Sequence, residues 1–210
     1  MQLTFISDTH GKHRDLVLGA GDVLIHCGDF TRMGEVDEVE DFADFISLQN
    51  FHHKIVIAGN HDWCFEDNRR AEAEKVLTEK GIIYLNDSGI EIAGKYFWGS
   101  PIQPEFCDWA FNRPRGKKIA EHWQLIPKYT DVLITHGPAF GYLDECYHGE
   151  RVGCEELAKV VFKIKPRIHA FGHIHEDYGT DEKRGVLFVN ACSLNEDYEL
   201  ANPPITVQLD

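Results

Sequence analysis

Three observations predict an α/β fold with two sheets. Apolar runs of strand length alternate with amphipathic helical stretches from Leu3 to Gly81, which favours a parallel sheet. From Ile82 to Gly99 three short strand-like runs follow one another across Asn86-Asp87 and Ala93-Gly94, as in a meander, so a second, more antiparallel sheet is expected. Several apolar runs end in Asp, Asn or His, most of them beside Gly. Chemistry is thereby placed beyond the carboxyl ends of strands, where open α/β sheets bind ligands.

Taken in order, Leu3–Ile6 reads as the first strand and leads to Asp8 and His10; Asp22–Cys27 is the second and delivers Asp29. Residues 35 to 48 form a helix, because Val36, Val39, Ala43 and Ile46 recur at helical spacing while Glu35, Asp37, Glu38, Glu40 and Asp41 cover the opposite side. The third strand, Lys54–Ala58, runs into Gly59-Asn60-His61-Asp62, and a helix over 69–80 stops at Gly81. After the short strands comes a long connection, 100–116, whose length suits either a substrate wall or a loop packed down by Phe106, Trp109 and Phe111. A helix over 117–125, a strand at Val132–Ile134 leading to His136, a helix over 154–164 and a strand at Ile168–Phe171 leading to His173 and His175 complete the alternation. Gly185–Val189 and Ile205–Leu209 close it.

With 210 residues and no linker-like stretch, a single domain over 1–210 is expected. No apolar run has the ~20 residues of a membrane helix, and Met1 leads straight into a strand without a charged leader. The expectation is a soluble, cytoplasmic protein without a membrane partner. Six scattered cysteines without a Cys-x-x-Cys pair read as reduced thiols. The net charge of −14 would repel a polyphosphate backbone, so extended nucleic acid is not an expected partner.

Asp8, His10, Asp29, Asn60, His61, His136, His173 and His175 all follow apolar runs, whereas His13, His26, His52, His53, His122, His148 and His169 read as ordinary structural histidines. Carboxylate, amide and imidazole ligands without thiolates suit manganese, iron or zinc. Asp8, His10, Asp29, Asn60, His136, His173 and His175 exceed what one ion needs, and two ions with Asp29 between them account for the surplus. Such a pair lowers the pKa of a bound water toward about 7 and clamps the oxygens of an in-line displacement at phosphorus.

Asp8-x-His10, Gly28-Asp29, Gly59-Asn60-His61-Asp62, His136-Gly137 and Gly172-His173-Ile174-His175 resemble the ordered motifs of the calcineurin-like metallophosphoesterase superfamily. Gly28-Asp29-Phe30-Thr31, the run from Ala110 to Gly116, His136-Gly137-Pro138, Arg151-Val152-Gly153-Cys154 and Asn202-Pro203-Pro204 are similar to its foetal-brain metallophosphoesterase-domain branch. The resemblance implies a four-layer αββα sandwich of two mixed sheets with a dinuclear centre at its crest. It further implies that Asp8, His10 and His175 hold one ion, that Asn60, His136 and His173 hold the other, that Asp29 bridges them and that His61 stands beside the leaving group. Where many members carry Gly-Asp-x-x-Asp-Arg-Gly, this chain has Arg32 and Met33 in place of the second Asp and the Arg, which leaves open what orients His61 and what grips phosphate.

The expected function is therefore a phosphodiesterase acting on a nucleotide or other small phosphate ester by attack of metal-bound hydroxide. The expected cofactors are two divalent or trivalent transition-metal ions, manganese ahead of iron or zinc. His61 is expected as the catalytic proton donor, Asp62 as a further catalytic residue supporting their turn, and Asn60, His61, Asn112, Arg113 and Arg115 as substrate-binding residues. A nucleotide-binding or scaffold protein of the same fold is the rival. It has no need of buried carboxylates and imidazoles that are costly without metal.

Overall fold

A computed structural model describes residues 1–210. The chain begins β1 (Gln2–Ile6), β2 (Gly21–His26), α1 (Val36–Ser47), β3 (Phe51–Val56), α2 (Arg70–Glu79), β4 (Ile83–Tyr84). It continues β5 (Ser88–Ile92), β6 (Lys95–Ser100), β7 (Gln103–Pro104), β8 (Asn112–Arg113), α3 (Lys117–Trp123), β9 (Val132–Thr135), α4 (Glu155–Ile164). The remaining strands are β10 (Ile168–Phe171), β11 (Gly179–Lys183), β12 (Val186–Asn190) and β13 (Ile205–Gln208). The first sheet has the order β13-β1-β2-β3-β4 and the second β11-β12-β10-β9-β6-β5; β7 and β8 pair by themselves.

Period-two alternation in the strands builds the layers. Leu3, Phe5, Val23, Ile25, Ile55 and Ile57 of the first sheet face Phe97, Val132, Ile134, Ile168, Ala170 and Val189 of the second in one buried cluster. The alternate residues Ile6, Leu24, Val56, Leu133, Phe171 and Phe188 point outward into the cluster that holds Val39, Phe42, Leu77, Trp123, Leu157 and Val161 from the helices. Central strands are apolar on both faces, as a sheet covered twice requires. The result is an α/β sandwich of two mixed sheets flanked by helices.

The helices lie within one or two residues of their expected ends, α3 differing most by stopping at Trp123. Helix α1 carries a reciprocal cap between Glu35 and Glu38. Three strand expectations change. Strand β3 starts at Phe51, three residues earlier than expected, because Phe51 and the polar His53 still pair with β2. The meander does not form: β4 joins the first sheet parallel to β3, and only β5 and β6 make a hairpin, at the edge of a second sheet whose interior strands are parallel. Strand β11, Gly179–Lys183, was hidden by its polar composition, which suits an edge strand beside β12. No helix is long and apolar enough to cross a membrane.

Ile25 is fully buried between the two sheets. Ile25→Ala is expected to lower unfolding free energy by about 2–5 kcal/mol, measured by urea denaturation. Ile205→Ala, on a partly exposed edge strand, should cost clearly less.

Candidate metal centre and active site

The crest of the sandwich is assembled from the turns after β1, β2, β3, β9 and β10. Parallel pairing of β1, β2 and β3, and of β9 and β10, brings these carboxyl ends to one side. Asp8, His10, Asp29 and His173 all have positive φ, between 40° and 69°, a region that non-glycine residues seldom occupy. Such backbone is held only where its surroundings over-determine it. Two glycines allow the turns to meet: a Cβ on Gly59 would lie 2.3 Å from Asp29 Oδ1, and one on Gly172 would lie 1.9 Å from Asp8 Oδ2.

The two carboxylates are arranged alike. Asp8 Oδ2 accepts from the His173 N–H at 2.9 Å, and Oδ1 lies 3.5 Å from His175 Nε2. Asp29 Oδ1 accepts from the His61 N–H at 2.7 Å, and Oδ2 lies 3.8 Å from His10 Nε2 and 3.4 Å from His136 Nε2. Each thus has one oxygen tied to backbone and the other turned to imidazoles. His136 donates from Nδ1 to the Cys27 carbonyl at 3.0 Å and His175 from Nδ1 to the Asn195 carbonyl at 3.0 Å, so Nε2 of each is the nitrogen facing the centre. Asn60 Oδ1 sits 2.9 Å from His136 Nε2.

Three groupings emerge, Asp8 with His10 and His175, Asp29 with His136 and His173, and His10 with Asp29 and His61, each with ligand atoms within 4.8 Å of one another. Asp8 Oδ1 and His10 Nε2 are buried with no hydrogen-bond partner. Buried polar atoms without a partner are costly, and these belong to types that bind transition metals, so the residues fit a metal centre. Electrostatics agree. Burial would raise Asp8 and Asp29, yet the surrounding imidazoles, His175 and His136 foremost, hold both below the usual carboxylate range. Burial would lower His136, but Asp29 and Asp8 push it up to about 9. His173 is taken down to about 4 by burial and by His136, which outweigh the upward pull of Asp29 and Asp8.

His61 stands at the edge of this centre, with a ring nitrogen within 4.8 Å of ligand atoms of His10 and Asp29. Its Nδ1 donates to the Arg32 main-chain carbonyl at 2.8 Å, and its ring lies against Trp109, centroids 4.1 Å apart. Asp62 does not reach the imidazole. It is fully buried beneath the turns and accepts the N–H groups of Asp29 (2.9 Å), Thr31 (2.9 Å) and Gly59 (2.8 Å) and the Thr31 hydroxyl (2.7 Å). Burial and the charge of Asp29 raise it to about 7 against the pull of those bonds. The expectation of Asp62 as a catalytic residue gives way to that of a brace joining the β2 and β3 turns, because both its oxygens are already used.

A cleft of about 390 Å³ opens over the centre, lined by Asn60, His61, Phe106, Trp109, Arg115 and Tyr198 among others. Asn112 and Arg113 do not line it. Asn112 bonds within its own loop, to Gln103 and to the backbone of Phe106 and Cys107, and Arg113 pairs with Glu66 at 2.9 Å. Arg115 lines the cleft, with its guanidinium engaged by Glu155 and the carbonyls of Val152 and Gly153. Sequence reasoning missed Tyr198, whose ring packs on His10 and His175 at 5.1 and 4.9 Å. A polar, irregular stretch after the last ligand gave no signal for it. Among the histidines read as structural, His26 bonds Thr9, His169 bonds Thr135, His13 bonds Asp41 and His122 bonds Asp87. All six cysteines are free.

Fold and site together define a calcineurin-like phosphoesterase, and the family model of that description matches residues 1–177. The chain belongs to this family, whose members are metal-dependent phosphoric ester hydrolases. It is 40% identical to metallophosphoesterase domain-containing protein 1 of Homo sapiens over 97% of this chain and 69% of that protein. It is 38% identical to a UPF0046 protein of Caenorhabditis elegans over 98% of this chain and 74% of that one. Among solved structures, the phosphopantetheinyl hydrolase of Mycobacterium tuberculosis aligns with a TM-score of 0.61 at 17% identity, covering 91% of this chain and 88% of that one. The protein TT1561 of Thermus thermophilus aligns with a TM-score of 0.63 at 14% identity, covering 90% and 88%. At such identities these two attest the fold.

Asp62→Ala would strip the acceptor from three backbone N–H groups and a hydroxyl. The expected loss is at least about 3 kcal/mol of stability, together with weaker metal retention, read by denaturation and by metal analysis after gel filtration. Asp62→Asn, which keeps one acceptor oxygen, should lose less of both.

Proposed function

We propose that this chain is a dinuclear metal-dependent phosphodiesterase for a nucleotide or another small phosphate ester, with manganese ahead of iron or zinc as its metal. The observation that carries the reading is Asp29 Oδ2, one carboxylate oxygen set between His10 at 3.8 Å and His136 at 3.4 Å. Asp8, His10 and His175 would hold one ion, Asn60, His136 and His173 the other, and Asp29 both. When bound, such ions supply an activated water and neutralise the charge that builds at phosphorus.

His61 then acts as proton donor to the leaving oxygen. With Nδ1 engaged by the Arg32 carbonyl, Nε2 is the nitrogen free to serve the substrate. Trp109 limits how the ring can turn and keeps water from one of its faces. A diester is favoured over a monoester by charge: Arg115 is the only Lys or Arg lining the cleft, and its guanidinium is already engaged, so little cationic charge remains for a second negative charge on phosphate. Phe106, Trp109 and Tyr198 offer aromatic faces for a base or other planar group. The carboxylates Glu105, Glu176 and Glu196 on the same walls disfavour a polyphosphate and extended nucleic acid. Six free thiols fit a reducing compartment such as the cytoplasm.

The test is turnover of an aryl phosphodiester with added Mn²⁺ beside metal analysis. Two ions per chain are expected, with the diester hydrolysed faster than the matching monoester. Asp29→Asn should lose both ions. His61→Asn should keep both and lose about 10²- to 10⁴-fold in kcat on alkyl diesters, and less on aryl ones, whose leaving groups need less protonation. One ion or none in the wild type, or no turnover with any metal, would sink the reading.

A further inference from the structure

No side chain meets His61 Nδ1; the group that does is the main-chain carbonyl of Arg32. That carbonyl belongs to the Arg32–Met33 peptide. The N–H at the other side of the same peptide, on Met33, donates to Glu38 Oε2 at 3.1 Å, while the carbonyl accepts from His61 Nδ1 at 2.8 Å. A second bond fixes the preceding peptide, the Arg32 N–H donating to Glu38 Oε1 at 2.9 Å. Arg32 Nε donates to the His10 carbonyl at 3.0 Å, so the same residue is also fastened to the β1 turn.

We infer that Glu38 is a positioning residue for His61 and acts through the Arg32–Met33 peptide, so that carboxylate, peptide and imidazole form one hydrogen-bonded chain. The inference rests on the reading of His61 as proton donor. A helix cap alone needs Glu38 only to accept from the Glu35 N–H, which it does at 3.1 Å. The bonds to the Arg32 and Met33 N–H groups lie outside the helix and are surplus to capping. Their effect is to hold the carbonyl in place and to polarise it, since hydrogen bonds in series strengthen one another by about 10–30% each. Glu38 is itself held below the usual glutamate range: burial raises it, and the three N–H groups of Glu35, Arg32 and Met33 outweigh that. A negative charge therefore stands one peptide away from the imidazole. His61 is left with a fixed Nδ1–H tautomer and with Nε2 turned to the cleft.

Three variants test this: Glu38→Ala, Glu38→Gln and, as a control that loses the Glu35 half of the cap and its ion pair with Arg69 but keeps Glu38, Glu35→Ala. The tautomer of His61 is read by ¹H–¹⁵N NMR of the ring nitrogens with and without Zn²⁺, and kcat is measured with Mn²⁺ on aryl methyl phosphodiesters from p-nitrophenyl to phenyl. The wild type is expected to show protonated Nδ1. Glu38→Ala should lose that single tautomer, keep the wild-type metal content, and fall about tenfold or more with the phenyl ester while changing little with p-nitrophenyl. Glu38→Gln, which can still cap the helix but carries no charge, should lie between. Glu35→Ala should lose stability and leave tautomer and leaving-group dependence as in the wild type. An Nε2–H tautomer in the wild type, or a tautomer unmoved in Glu38→Ala, overturns the inference, and so does a Glu38→Ala loss equal for all esters or matched by Glu35→Ala. If the wild type hydrolyses none of the esters, the phosphodiesterase reading falls separately, and the ring-nitrogen spectra still decide whether Glu38 sets the imidazole.

Discussion

Everything at the crest depends on how two almost fully buried carboxylates are held. An ionised group in a low-dielectric interior is costly unless hydrogen-bonded and matched by opposite charge. Asp8 and Asp29 meet the first condition with backbone N–H groups, from His173 and His61, and the second with imidazoles. These N–H groups come from turns on other strands. Asp8 therefore fastens the first sheet to the second across the crest and Asp29 ties the β2 turn to the β3 turn, while both offer oxygens to a metal. Asp62 repeats the device one layer down with three further N–H groups.

Such an arrangement demands backbone that the residues would not choose. Positive φ at Asp8, His10, Asp29 and His173 costs of order 1–3 kcal/mol each. The cost is sustained by the rigidity of the sandwich, whose strands are buried on both faces directly below each turn. Strain and function share an address here because the ligands must turn back over the ends of their own strands. The crowded approaches at Gly59 and Gly172 have the same origin.

The sequence made the ligand-bearing strands legible because apolar runs of double-buried strands are conspicuous and each ends in a metal-type side chain. Helix α1 and α4 were equally visible through their stripes. What escaped shares a physical cause: it depends on backbone or on partners distant in sequence. The group orienting His61 is a carbonyl, which every residue possesses, so no side chain at 32 or 33 announces it. Asn112 and Arg113 have the chemistry of substrate ligands, yet Gln103 and Glu66 engage them first. β11 is polar, and β4 is too short to declare its sheet.

The last strand, β13, pairs antiparallel with β1, and just before it Asn195 supplies the carbonyl that orients His175 while the Ser193 N–H reaches the Ser7 carbonyl. Residues almost two hundred positions apart must therefore meet before the turn bearing Asp8 is closed in. The first sheet can assemble β1 to β4 from near neighbours in sequence, but its outer edge and the Asp8 side of the crest stay open until the stretch from Ser193 to Gln208 has joined them. A metal held by Asp8 and His175 would thus be coupled to the closing of this long loop rather than to the collapse of the first core.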